Sequence, residues 1–199
     1  AAGIRAAALS FPRYEQTQFS DLIGRYLRGE MGEIDQVPVR YAALLYGGDR
    51  FESRDQLLEL IATHDLVILD RYVASNIAYN AAKVPVDERS ELITWIEQLE
   101  YGQFDLPRPD LTLLLATSTA LADQLVGQKA ARSYTDDARD LHEANRDFLS
   151  IVADVYGSLA KAGGDRWLRV EPLDADGNLC PPADIAATVW QHPSLAALG

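Results

Sequence analysis

The chain has 199 residues, enough for one well-cored α/β domain, and no composition shift, charge block, Pro/Gly/Ser-rich linker or internal repeat divides it. Its 18 Lys plus Arg stand against 30 Asp plus Glu, and the formal net charge of −12 argues against a surface for DNA, RNA or anionic lipid. A single cysteine, Cys180, excludes an internal disulfide, and with three histidines it makes no zinc-like spacing. With no signal peptide and no apolar run near 18 residues, these features place the protein in the cytosol and off the membrane.

Residues 1 to 4 read as the end of a helix with Gly3 as its cap, and Ala6 to Phe11 as a short buried strand. Proline cannot donate to a ladder, so Phe11-Pro12 turns the backbone and presents Arg13 and Tyr14 beyond the strand end. Phe19, Leu22, Ile23, Tyr26 and Leu27 keep a helical period, and Pro38 opens a second helix that runs through Tyr46 toward Gly47-Gly48-Asp49-Arg50. Each of those two glycines costs a helix roughly 1 kcal/mol relative to alanine. The pair therefore signals close approach of another backbone or a ligand, or a break in the helix.

Ser53 to His64 form a further amphipathic helix, followed by Leu66 to Leu69, a run suited to a strand buried on both faces. It stops at Asp70-Arg71, so a carboxylate and a guanidinium leave the carboxyl end of a buried strand, where open α/β sheets bind ligands. An Asp there commonly holds Mg²⁺, and Arg offers a fork for phosphate oxygens. The bland alternative is that Asp70 caps the next helix and pairs with Arg71. In the helix Val73 to Ala82, Ser75, Asn76 and Tyr79 are three to four residues apart and share one face, read here as a binding face.

A long helix begins at Asp87 with Leu92, Ile93, Trp95, Ile96 and Leu99 inward; Tyr101 to Pro109 is a loop, and Leu111 to Ala116 another strand buried on both faces. Ser118 or Thr119 caps a helix from Ala120 to Val126. The stretch Gly127 to Asp137 is polar and aperiodic, ordinarily a plain surface loop. Arg139 to Ala162 is a long helix, Trp167 to Val170 the last strand, and Ala183 to Trp190 a closing helix. Strands separated by helices imply a doubly wound parallel sheet with helices on both faces, in one domain spanning 1–199.

The stretch Asp70 to Lys83, DRYVASNIAYNAAK, resembles the DRY segment of thymidylate kinases, in the form found in mycobacterial and related actinobacterial enzymes. Phe11-Pro12-Arg13-Tyr14 is similar to that family's FPRY segment, and Asp49-Arg50 is a third match in order. The resemblance implies a nucleoside monophosphate kinase fold, phosphoryl transfer from ATP to dTMP, Mg²⁺, and a homodimer. It implies that Pro12, Arg13 and Tyr14 lie by the phosphate of dTMP, that Arg71 grips this phosphate, and that Arg50 reaches the base. It further implies that Tyr46 stacks on thymine, that Asn76 contacts the base, and that Tyr79 fills the place of a ribose 2′-hydroxyl. Asp70 would orient the magnesium.

In the family, residues 127–137 form a lid over the phosphates with Lys129, Arg132 and Arg139 as its cations; Asp140 and Glu143 match two acids after the lid, while His142 replaces an aromatic. Residues 173–177 would border the adenine, or form an ordinary turn. No GxxxxGK[ST] occurs in the sequence, so the expectation is that the native polypeptide carries roughly 25 further N-terminal residues with that loop and a central strand. Tyr46, Asn76 and Tyr79 favour dTMP over another nucleoside monophosphate. The alternative from a different class is a silent dTMP-binding module.

Overall fold

The computed structural model describes residues 3–33, 36–117, 146–174, 177–196 and 198. They divide into two compact units, Ala1–Arg108 and Pro109–Gly199.

In the first unit, β1 (Ala6–Ser10) and β2 (Leu66–Asp70) pair in parallel, with Ala6 opposite Leu66 and Ser10 opposite Asp70. Parallel partners require a crossover, supplied by α1 (Gln18–Leu27), α2 (Val39–Glu52) and α3 (Arg54–Thr63). Thr17 caps α1 by accepting the N–H of Ser20, and Pro38 caps α2. The apolar stripe of α1 packs on α2: Ile23, Tyr26, Ala42 and Leu45 are buried, and Phe19, Leu22 and Tyr46 close around them. After β2 come α4 (Val73–Ala81) and α5 (Arg89–Glu97), and α4 packs on both α2 and α5.

The glycine pair does not break α2. A Cβ on Gly48 would lie 2.4 Å from the Phe19 ring, and one on Gly47 3.2 Å from Phe104 and 3.4 Å from Cγ of Glu100. The close approach is made by side chains of α1 and of the segment after α5, and not by another backbone as the sequence suggested. That segment corrects a second expectation: residues 98–103 form a wide π-helical turn rather than a loop from Tyr101 onward, and a short 3₁₀ turn, Val86–Glu88, precedes α5.

In the second unit, β3 (Thr112–Leu115) pairs in parallel with β4 (Trp167–Val170), Thr112 opposite Trp167 and Leu115 opposite Val170. The described helices here are α6 (Arg146–Gly163), α7 (Pro182–Trp190) and α8 (Pro193–Ala196). Trp167 lies against Gly163, where a Cβ would come within 2.0 Å of the indole. Leu173 and Leu179 form an isolated antiparallel bridge, and the N–H of Asp174 donates to the carbonyl of Asn178 at 2.9 Å.

The strands β2 and β3 are not buried on both faces. Ile68 is 54% exposed, and Leu113 and Leu115 are also exposed, because side chains alternate along a strand and each two-stranded pair has one open face. No helix among the described residues is long and apolar enough to cross a membrane.

Candidate active site

Parallel pairing brings two of the sequence segments to one place. Ser10 and Asp70 end β1 and β2 side by side, and the N–H of Phe11 donates to the carbonyl of Asp70 at 3.0 Å, so the FPRY and DRY segments leave adjacent strands at the same carboxyl end. The Phe11-Pro12 peptide is cis, and Arg71 has φ 59°, in the left-handed region that a residue other than glycine enters at a cost of order 1–3 kcal/mol and that clusters at functional sites.

Asp70 is exposed, and its side chain has no hydrogen-bond partner among the described residues. It neither caps α4, whose N-cap is Tyr72 with no side-chain bond, nor forms an ion pair with Arg71, so the bland reading of this pair is not realised. Arg71 instead turns back along α4: Nη2 donates to the Tyr79 hydroxyl at 3.0 Å, and the guanidinium carbon lies 5.1 Å from the Tyr79 ring centroid.

The backbone N–H of Arg13 donates to the carboxylate of Asp49, and its guanidinium donates to Gln16 and Gln56. Nε of Arg13 is buried without a partner among the described residues. Pro12 is half-buried and Tyr14 exposed, while Tyr46 is half-buried against the α1–α2 cluster. Asp49 is fully buried; burial pushes its carboxyl up, against the opposing effect of the hydrogen bonds from Thr17 and Arg13.

Arg50 and Asn76 are almost wholly buried. Arg50 is 2% exposed and forms a two-pronged ion pair with Glu100, Nε to Oε2 at 2.5 Å and Nη2 to Oε1 at 2.7 Å. Burial works against the guanidinium charge, but attraction to Glu100 and the hydrogen bonds outweigh it and raise its pKa. Asn76, 4% exposed, donates from Nδ2 to the carbonyl of Ala43 at 2.9 Å and to Glu100 at 2.7 Å. Ser75 and Tyr79 on the same helix are half-buried.

Sequence reasoning missed Glu100, Asn80 and the buried role of Asp49. A signal for Glu100 existed: Leu92, Ile96 and Glu100 are four residues apart, so a carboxylate continues the buried face of α5. Lys129, Arg132, Arg139, Asp140, His142 and Glu143, and the helix expected from Ala120 to Val126, lie outside the described residues. Among the described residues no cluster of three His, Cys, Asp or Glu side chains could hold a metal. A cavity of about 400 Å³ is lined by Arg40, Ser90, Glu91, Thr94, Trp95 and Gln98, none of them a residue singled out from the sequence.

The family model for thymidylate kinase matches residues 1–174. The chain belongs to the thymidylate kinase family. Thymidylate kinase from Mycobacterium tuberculosis H37Rv is 36% identical over 187 residues, which cover 92% of this chain and 86% of that protein. The human thymidylate kinase is 30% identical over 120 residues, 60% of this chain and 50% of that one. A solved thymidylate kinase from Candida albicans superposes with a TM-score of 0.62, covering 96% of this chain and 80% of that chain at 22% identity. That likeness shows the fold: mixed α/β with parallel strands, of the thymidylate kinase kind.

Proposed function

We propose that this member of the family transfers the γ-phosphoryl group of ATP to dTMP, giving dTDP and ADP. The observation that carries the reading is the register of β1 and β2, which puts the FPRY and DRY segments at one strand end with Asp70 exposed there. Phosphoryl transfer asks little covalent chemistry of a protein; it asks for positioning and for positive charge around the transferred group.

In this reading Arg71, steered by Tyr79, grips the phosphate of dTMP, with Pro12, Arg13 and Tyr14 beside it. Arg50 and Asn76 face the base, Tyr46 stacks on it, and Tyr79 occupies the space of a ribose 2′-hydroxyl. Asp70 suits Mg²⁺, a hard cation usually held by one or two carboxylates plus phosphates and water, because its carboxylate is exposed and has no protein partner among the described residues. Magnesium, when bound, neutralises charge on the donor phosphates. Lys129, Arg132 and Arg139 are the lid cations of this reading, and Asp140 and Glu143 its acids.

The same reading takes residues 1–199 as one nucleoside monophosphate kinase domain with a doubly wound sheet, in a cytoplasmic homodimer. The span of the family model, residues 1–174, supports the single domain. The test is ATP-dependent phosphorylation across dTMP, dUMP, dCMP, dGMP and dAMP with and without Mg²⁺. Highest turnover on dTMP, lost on chelation, is expected. Turnover highest on another monophosphate overturns the substrate, and dTMP binding without ATP-dependent turnover overturns the activity.

A further inference from the structure

Arg50 and Asn76 come from different helices, α2 and α4, yet one carboxylate holds both. Oε1 of Glu100 accepts Nη2 of Arg50 and Nδ2 of Asn76 at 2.7 Å each, so the two nitrogens are no more than twice that distance apart. Glu100 is 0% exposed and reaches this point from the π-helical turn after α5, a feature that recurs at functional sites. The wide turn brings the carboxylate beside α2 at Gly47, where a Cβ would meet the Phe104 ring at 3.2 Å and Glu100 Cγ at 3.4 Å.

The hydrogen-bond inventory then fixes what each group has left to offer. A carboxylate and a carbonyl accept only, so the amide of Asn76 must turn its NH₂ toward Glu100 and Ala43, and both N–H bonds are spent. Its Oδ1 accepts Nδ2 of Asn80 at 2.7 Å, leaving one lone pair. Asn80 is itself oriented, because Nδ2 also donates to the Asn76 carbonyl at 3.0 Å. On Arg50, Nε and Nη2 are engaged by Glu100, while Nη1 has no partner among the described residues. The one buried, unpartnered side-chain nitrogen or oxygen among them is Nε of Arg13, so Nη1 of Arg50 keeps contact with solvent. What remains is a donor on Arg50 and an acceptor on Asn76.

We propose that Glu100 is a positioning residue for base selection, fixing Arg50 as donor and Asn76 as acceptor. The inference rests on the reading of these two side chains as base-facing. Thymine presents an acceptor at O4 and a donor at N3–H; cytosine reverses both, with a donor at N4 and an acceptor at N3. A site whose polar groups are committed to one pattern rejects the reversed one because its groups are then left unpaired. Glu100 touches no substrate in this scheme. It acts by holding Arg50 in place and, together with the Ala43 carbonyl, by denying Asn76 the flipped amide that cytosine would need.

Glu100→Gln replaces one acceptor oxygen with an NH₂, so the two-pronged hold on Arg50 and the shared hold on Asn76 cannot both be kept. In the full-length protein, kcat/KM for dTMP and dCMP is expected to shift so that the preference for dTMP falls at least about tenfold, with the KM for ATP unchanged. Glu100→Asp, which draws the carboxylate back by one methylene without altering its charge, should move the preference in the same direction. If both substrates fall by one common factor, Glu100 only holds the fold and the proposal is overturned. If Glu100→Gln does not fold, Glu100→Asp decides, and an unchanged dTMP-to-dCMP ratio overturns the proposal. A wild-type protein with no activity on dTMP refutes the underlying reading as well, whereas an active wild type with a ratio insensitive to Glu100 refutes the positioning role alone.

Discussion

The backbone N–H of Arg13 donates to Asp49 across 36 residues of chain, 3.0 Å from Oδ2 and 3.3 Å from Oδ1. The same carboxylate accepts the hydroxyl of Thr17, the residue that caps α1. One buried side chain on α2 thus sets the turn after β1 and the start of the next helix. Asp49→Ala would leave two donors without partners, and a loss of about 2–3 kcal/mol is expected in urea unfolding at pH 7. Because burial raises the folded pKa above the ordinary aspartate value of 3.8, the native state binds the proton more tightly. The contribution of Asp49 to stability therefore falls as pH rises from 3.8 through the folded pKa and is constant above it. An Asp49 titration midpoint below 3.8 by NMR would contradict this.

Asp70 stands at the opposite extreme. Its side chain is exposed and makes no bond among the described residues, so Asp70→Asn should leave stability within about 0.5 kcal/mol. If it orients magnesium on the donor side, turnover falls strongly while dTMP affinity is kept. Full turnover at saturating Mg²⁺ would remove Asp70 from the mechanism.

Arg71 and Tyr79 form a pair whose two contacts separate cleanly. Tyr79→Phe keeps the ring beneath the guanidinium and removes the hydroxyl that accepts Nη2, so dTMP binding should weaken by about 0.5–1.5 kcal/mol with sugar preference retained. Tyr79→Ala removes the ring as well, and the preference for dTMP over its ribonucleotide analogue should narrow by about 1–3 kcal/mol. Equal losses for both sugars would make the tyrosine purely structural.

At the other end of the β1–β2 pair, Arg5 clasps Asp65 through its backbone N–H, Nε and Nη2. These hydrogen bonds lower the Asp65 carboxyl to about 2 from the ordinary aspartate value of 3.8. Its stabilising contribution is present above pH 3.8 and is lost as pH falls through about 2. In Arg5→Ala the side-chain bonds are lost but the backbone N–H remains, so the carboxyl resonance should titrate above about 2 and still below 3.8; an unchanged midpoint would show that the guanidinium does not hold it down.

The strands and most helices were legible because each has its own period, and the FPRY and DRY segments because a proline and an Asp-Arg pair stand at strand ends. What escaped were long-range partners. Glu100 stands 50 residues from Arg50 and 24 from Asn76, and no local pattern announces that three chain-distant groups share a hydrogen-bond network. Asp49 was read as half of an Asp-Arg pair, although burial and two donors from another segment define it. The faces of β2 and β3 were misjudged because an apolar run says that both faces tolerate burial and not that both are covered.

The Gly47-Gly48 pair gives the sharpest test of why a helix would carry residues that disfavour it. At Gly48 the obstacle is the Phe19 ring, which a new Cβ would meet at 2.4 Å. An aromatic ring between two packed helices cannot swing aside as a long flexible side chain would, so Gly48→Ala should cost about 1–3 kcal/mol through overpacking, despite alanine's better helix propensity. Removing the ring reverses the sign. In a Phe19→Ala background, Gly48→Ala meets no ring and should stabilise by about 1 kcal/mol, the propensity gain alone. The double-mutant cycle in urea unfolding then gives a coupling of roughly 2–4 kcal/mol, near or above the upper end for residues in contact. Additive effects would mean that the ring does not sit on α2 at this point, and Gly48 would then be a helix defect with no packing role.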